Sequence, residues 1–190
     1  MQKQRTGDEH ITFDGMPTGH ILSDYWAWSS SDLLNNTLRG SFCEFIVSAA
    51  LGVDLTGVNE DWTPYDILVP GSPDVRVEVK SSAYLQAWEQ GKLSNIQFSI
   101  RPTRAWSPQA GFEEEVKRQS DVYVFCLYTV TDRAEADPLV LDGWAFYVVP
   151  TSRIDTLCGP QKTISFPSLL MLEPIKADYS GIKAAVLASI

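Results

Sequence analysis

The sequence predicts a single α/β domain, and three observations carry that prediction. A run of 190 residues with 44% hydrophobic and 21% charged content is enough to enclose one sizeable core. Apolar residues at 3.6-type spacing mark one long helix, Leu34, Leu38, Phe42, Phe45 and Ala49, ended by Gly52. β-rich runs follow at Tyr65–Val69, Val75–Ser81, Ile96–Ile100, Asp121–Tyr128 and Trp144–Val149.

Taken in order, residues 1–20 are polar and read as a mobile start, followed by an aromatic entry at Tyr25-Trp26-Ala27-Trp28. Ser30, Ser31 and Asp32 offer caps for the long helix. Its second stripe, Thr37, Ser41, Glu44 and Ser48, holds a single carboxylate, Glu44, beside the buried face. After the third strand, a Pro-containing stretch near 107–118 reads as helical. Residues 31–150 are expected to form the core, and 151–190 an extension packed on it that ends in a short helix, Tyr179–Ile190.

The segment YDILVPGSPDVRVEVKSS carries the chemistry. Pro70-Gly71-Ser72-Pro73 is a dense turn signal between two β-rich runs. Centring a hairpin on Ser72 sets Asp66 across from Glu78, with Arg76 and Lys80 on their face; Ile67, Val69, Val75, Val77 and Val79 line the opposite, core-facing side. Two opposed carboxylates repel by roughly 0.2–1 kcal/mol even when exposed. One resolution is a surface hairpin with Lys80 or Arg76 as ion-pair partner. The other is a divalent cation, since Mg²⁺ takes one or two carboxylates and fills its shell with water and phosphate oxygens. Lys80 would then stand where anionic charge develops.

Asp66, eleven residues, then Glu78-Val79-Lys80 resembles the PD-(D/E)xK nuclease superfamily, the restriction-endonuclease-like fold. The resemblance extends over about residues 31–128 through the order of elements: helix, three strands, helix, strand. It implies a mixed central sheet flanked by helices and a Mg²⁺- or Mn²⁺-dependent phosphodiesterase acting on DNA. It also implies Asp66, Glu78, Glu44 and the Val79 carbonyl as metal ligands, with Lys80 as the catalytic lysine. Pro73-Asp74 is not taken as the motif's acid, because only three residues separate it from Glu78 and it falls in the turn. The same fold without cleavage, binding nucleic acid or a partner protein, is the alternative.

Charge frames the DNA expectation. The chain carries −9 overall, but residues 76–118 hold seven basic against five acidic side chains, whereas residues 1–75 hold three against eleven. Arg101 and Arg104 in that middle region are the candidate backbone contacts. If Ile96–Ile100 neighbours Val75–Ser81 in the sheet, Gln97 is placed to reach the metal water or a phosphate; a solvated polar face is the other reading. His10 and His20 are the only histidines, which leaves no ligand set for a histidine–zinc centre. Neither a GxGxxG, a Walker lysine nor a GxSxG elbow occurs, so a nucleotide cofactor is not expected. Cys43, Cys126 and Cys158 read as reduced core thiols. The polar N-terminus and the absence of an apolar run near 18 residues point to a cytoplasmic chain without a membrane span. Cutting both strands of a duplex calls for a homodimer, although no heptad or apolar stripe marks an interface.

Overall fold

The computed structural model describes residues 3–59, 63–107 and 111–190. A five-stranded mixed sheet forms its centre, built from β3 (Ile67–Val69), β4 (Val75–Ala83), β8 (Val122–Tyr128), β9 (Trp144–Pro150) and β11 (Ile175–Ala177). The strand order is β11-β9-β8-β4-β3, with β4 and β8 parallel and the other neighbours antiparallel. β8, VYVFCLY, is buried along its whole length because helices and strands cover both of its faces. Val122, Val124, Cys126 and Tyr128 pack on one side with α2 (Asn36–Leu51) and α5 (Ile182–Leu187). Tyr123, Phe125 and Leu127 pack on the other with α3 (Thr151–Cys158), α4 (Phe166–Leu170) and the small sheet of β5 (Gln97–Ser99) and β10 (Thr163–Ser165). The three cysteines are buried and free, as their apolar setting predicts.

The predicted hairpin is present in its predicted register: Ile67 pairs with Val77, Leu68 with Arg76 and Val69 with Val75. Val75, Val77 and Val79 are buried while Arg76 is exposed, so period-two alternation assigns the faces correctly. Asp74 belongs to the turn, its Oδ1 accepting from the Gly71 amide at 2.9 Å.

The polar start contains β1 (His10–Phe13) and β2 (Met16–Ile21), a hairpin that leads into α1 (Leu22–Ser30), the aromatic entry. Three expectations are corrected. α2 begins at Asn36 with Asn35 as its cap, accepting from the Thr37 amide, and its deeply buried residues are Arg39, Cys43, Ile46, Val47 and Leu51, while Phe45 is exposed. The stretch near 107–118 is extended, with β6 (Trp106–Ser107) against β7 (Gly111–Phe112) and a bridge between Thr103 and Lys117; residues 108–110 lie outside the described residues. β5 pairs with β10 rather than with β4. Among the described residues no helix is long and apolar enough to cross a membrane.

Candidate active site

The site is built on β4 and the residue that precedes β3. Glu78 and Lys80 alternate with Val77 and Val79, so their side chains leave the α2-facing core and rise on the opposite face, in register with Tyr123 and Phe125 of β8. Asp66 approaches at the sheet edge. Its amide donates to the Val77 carbonyl at 3.2 Å, and its Oδ2 accepts from the Val79 amide at 2.7 Å. The carboxylate therefore satisfies a donor that β3, starting one residue later, leaves open. A residue's N–H and C=O leave a strand on the same side, so the Val79 carbonyl faces the edge at which Asp66 stands.

Lys80 joins the two carboxylates. Its Nζ lies 2.6 Å from Glu78 Oε1 and 3.4 Å from Asp66 Oδ2, and the three side chains are only 19–26% exposed. Burial works against the ammonium, but the charges of Asp66 and Glu78 prevail and hold the Lys80 pKa above the ordinary lysine value. Lys80 is thus a cation at neutral pH, suited to stabilising negative charge and unsuited to taking a proton. Glu78 is pushed above the usual glutamate value, chiefly by burial and further by the Asp66 charge, against the opposing pull of Lys80 and Ser120.

Sequence reasoning missed Ser120. Its hydroxyl, almost wholly buried, donates to Glu78 Oε2 at 2.9 Å. Ser120 fixes one oxygen of Glu78 while Lys80 holds the other. Tyr123, beside Glu78 on β8, is buried, and burial with the Glu78 charge raises its hydroxyl pKa. Nothing local in the sequence marks Ser120; the contact arises only once β8 aligns parallel to β4.

The remaining candidates are distributed differently. Glu44 belongs to α2, which packs on the other face of the sheet, and its Oε2 accepts from Asn59 Nδ2 at 3.3 Å. Glu44 and Asp66 both line a cavity of about 580 Å³ at the β3 edge, together with Ser41, Ser48 and Tyr65. Among the described residues, no three His, Cys, Asp or Glu side chains gather tightly enough to hold a metal ion, so Glu44 is not drawn into one cluster with Asp66 and Glu78. The Asp66–Glu78 pair alone still suits Mg²⁺, which takes hard oxygen donors and needs only one or two carboxylates. Gln97 is on β5, which pairs with β10 and not with β4, and its amide donates to Thr163 Oγ1 at 2.9 Å. Arg101 and Arg104 are exposed. Arg118, in the same basic stretch, is buried and serves the fold, bonding the carbonyls of Ile100, Gly159 and Gln161 and the carboxylate of Asp155.

No curated protein and no solved structure matches this chain. The family model of bacteriophage T4 endonuclease IV does match, over residues 18–161, a span that takes in α2, β3, β4, β8 and β9 and hence every residue of the Asp66–Glu78–Lys80–Ser120 cluster. Because that match covers well over half of the chain, the protein belongs to the bacteriophage T4 endonuclease IV family.

Proposed function

We propose that the protein is a divalent-metal-dependent DNA nuclease of the PD-(D/E)xK type. The observation that carries this reading is the convergence of Glu78 and Lys80 of β4 with Asp66, the residue before β3, so that two carboxylates share one ammonium in a partly buried setting. Asp66 and Glu78, with the Val79 carbonyl, are the residues that would hold Mg²⁺ or Mn²⁺, and Glu44 faces the adjoining cavity. A divalent cation supplies Lewis-acid polarisation of a phosphate and activation of water.

The chain's own residues do the rest. Ser120 and the Val79 amide lock the two carboxylates in orientation before substrate arrives, which removes reorganisation from the reaction. Lys80 keeps its proton and directs an N–H toward the negative charge that grows on the phosphate. Arg101 and Arg104, both exposed, are placed in the basic stretch that would receive the DNA backbone.

A second reading, a module of the same fold that binds without cutting, is favoured by one observation, the net charge of −9. One assay separates the two. Purified protein with Mg²⁺ or Mn²⁺ is expected to cleave DNA, and Lys80→Ala is expected to lower the cleavage rate by about 10²–10³ while circular dichroism stays unchanged. Failure of the wild type to cut linear, supercoiled, branched and single-stranded DNA with either metal, together with metal-independent binding of nucleic acid, favours the binding module instead. Full activity in Lys80→Ala removes the proposed role of the lysine.

A further inference from the structure

The N-terminal hairpin and α1 contribute nothing to either core: no residue from 8 to 33 is buried. Such elements are not self-sufficient. A two-stranded hairpin is marginal in water, and a helix of nine residues is shorter than the roughly 12–15 that even good helix formers need. They brace each other, with the Leu22 amide donating to the Glu9 carbonyl and the Ser23 amide to the Gly7 carbonyl, both at 2.9 Å. Trp26 closes on Gly7, where a Cβ would meet its ring at 3.0 Å, and the φ of +99° favours glycine at that position.

The surface they leave open is apolar. Phe13 (80% exposed) and Met16 (69%) are direct cross-strand partners, hence on one face, flanking the Asp14-Gly15 turn. Tyr25 (51%) and Trp28 (84%) lie one helical turn apart, ring centroids 6.5 Å from each other. With about 150–250 Å² per large side chain, these four expose on the order of 600 Å². Ile11, two residues before Phe13 and also exposed, adds to this, and the total reaches the roughly 600 Å² per partner at the low end of specific protein–protein interfaces.

We propose that this surface is where a second copy of the chain docks. Asp8, Asp14 and Asp24 are exposed around it, which repels a phosphate backbone and disfavours DNA as the occupant. Among the described residues, β1 and β2 pair only with each other, so each strand leaves one edge unpaired. Antiparallel pairing of like edges about a two-fold axis is self-complementary and turns two marginal hairpins into one four-stranded sheet. The surface reaches outside the matched family segment, which begins at residue 18, and it does not depend on the cleavage reading.

Sedimentation equilibrium on the full chain over two decades of concentration tests this. The expected result is a dimer for the wild type and for Trp88→Asp, an exposed aromatic elsewhere on the molecule, and for the Phe13→Asp/Trp28→Asp double variant a monomer in which hydrogen exchange of the central sheet is unchanged. The dissociation constant of that double variant should rise by at least roughly 100-fold. Hydrogen exchange in the wild type should show amide protection in β1 and β2 that increases with protein concentration. A wild type that is monomeric throughout, a dimer that survives the double substitution, or hairpin protection independent of concentration overturns the proposal. So does a monomeric wild type whose oligonucleotide binding is abolished by the double variant, an outcome that assigns the surface to DNA.

Discussion

Two charged groupings stand on the same face of β4, two residues apart, and they are balanced differently. Arg76 and Asp121 form a one-to-one pair at the rim. The guanidinium donates to both carboxylate oxygens at 2.6 and 3.1 Å, and the Arg76 amide adds a third bond at 2.9 Å. Its carboxylate is stabilised, with hydrogen bonds from the Arg76 side chain holding the Asp121 pKa below the usual aspartate value. One turn of the pleat further on, Lys80 serves two carboxylates in deeper burial, and Glu78 is pushed the other way. A rim pair with matched charge fastens β4 to β8. A half-buried set with one anion too many stores an electrostatic deficit that a further cation would relieve.

The strongest test of this contrast removes the shared cation. In metal-free buffer, Lys80→Met leaves Asp66 and Glu78 without their partner and should destabilise the fold by about 2–4 kcal/mol, read from the urea midpoint. Glu78→Gln converts the set to a one-to-one pair and should cost less than about 1 kcal/mol. Equal losses from the two substitutions would show that the excess charge has no energetic consequence.

Ser120→Ala is expected to have the next effect. It frees one oxygen of Glu78 and should weaken Mg²⁺ or Mn²⁺ binding about 10–100-fold, measured as the loss of metal-induced thermal stabilisation. Asp121→Asn should leave that stabilisation intact. A metal response that Ser120→Ala does not change would detach the serine from the site, and no metal response in the wild type would detach the metal.

The smallest effect concerns the rim pair. Because the folded-state pKa of Asp121 is depressed, its contribution is present above the unfolded value near 3.8 and is lost as pH falls through the lower folded value. Partial exposure limits the pair to about 0.5–1 kcal/mol. Asp121→Asn should therefore lower stability by about that much at pH 7, with the difference from wild type vanishing toward pH 2. A difference that persists at the acid end would mean that Asp121 acts through its shape and not its charge.

The part of the site legible in the sequence is the part held by local geometry. A turn rich in proline and glycine sets the register of two short strands, and period-two alternation then assigns Asp66, Glu78 and Lys80 to one face. What escaped is set by non-local pairing. Ser120 meets Glu78 across 42 residues, and Gln97 meets Thr163 across 66, neither separation having a periodic signature. The buried face of α2 differs from the one that spacing predicts, because spacing alone does not reveal that Arg39 is buried, its guanidinium bonding the Leu34 carbonyl and Asn36, while Phe45 turns outward. The hairpin at the N-terminus did carry a signal, Asp14-Gly15 with positive φ at both residues between Phe13 and Met16, which the polar composition around it obscured.

The same buried strand that completes the site also sets a hazard during synthesis. β8 is seven uncharged residues of high β propensity without proline or glycine, and in the native sheet β4 covers one of its edges and β9 the other. The parallel partner is already on the chain when β8 emerges, but closing that pair is a long-range step, slow compared with hairpin formation. The antiparallel partner β9 follows β8 in the chain. Until it arrives, VYVFCLY presents an open edge to its neighbours, so refolding yield should fall steeply with protein concentration, and a chain truncated before Trp144 should aggregate rather than fold.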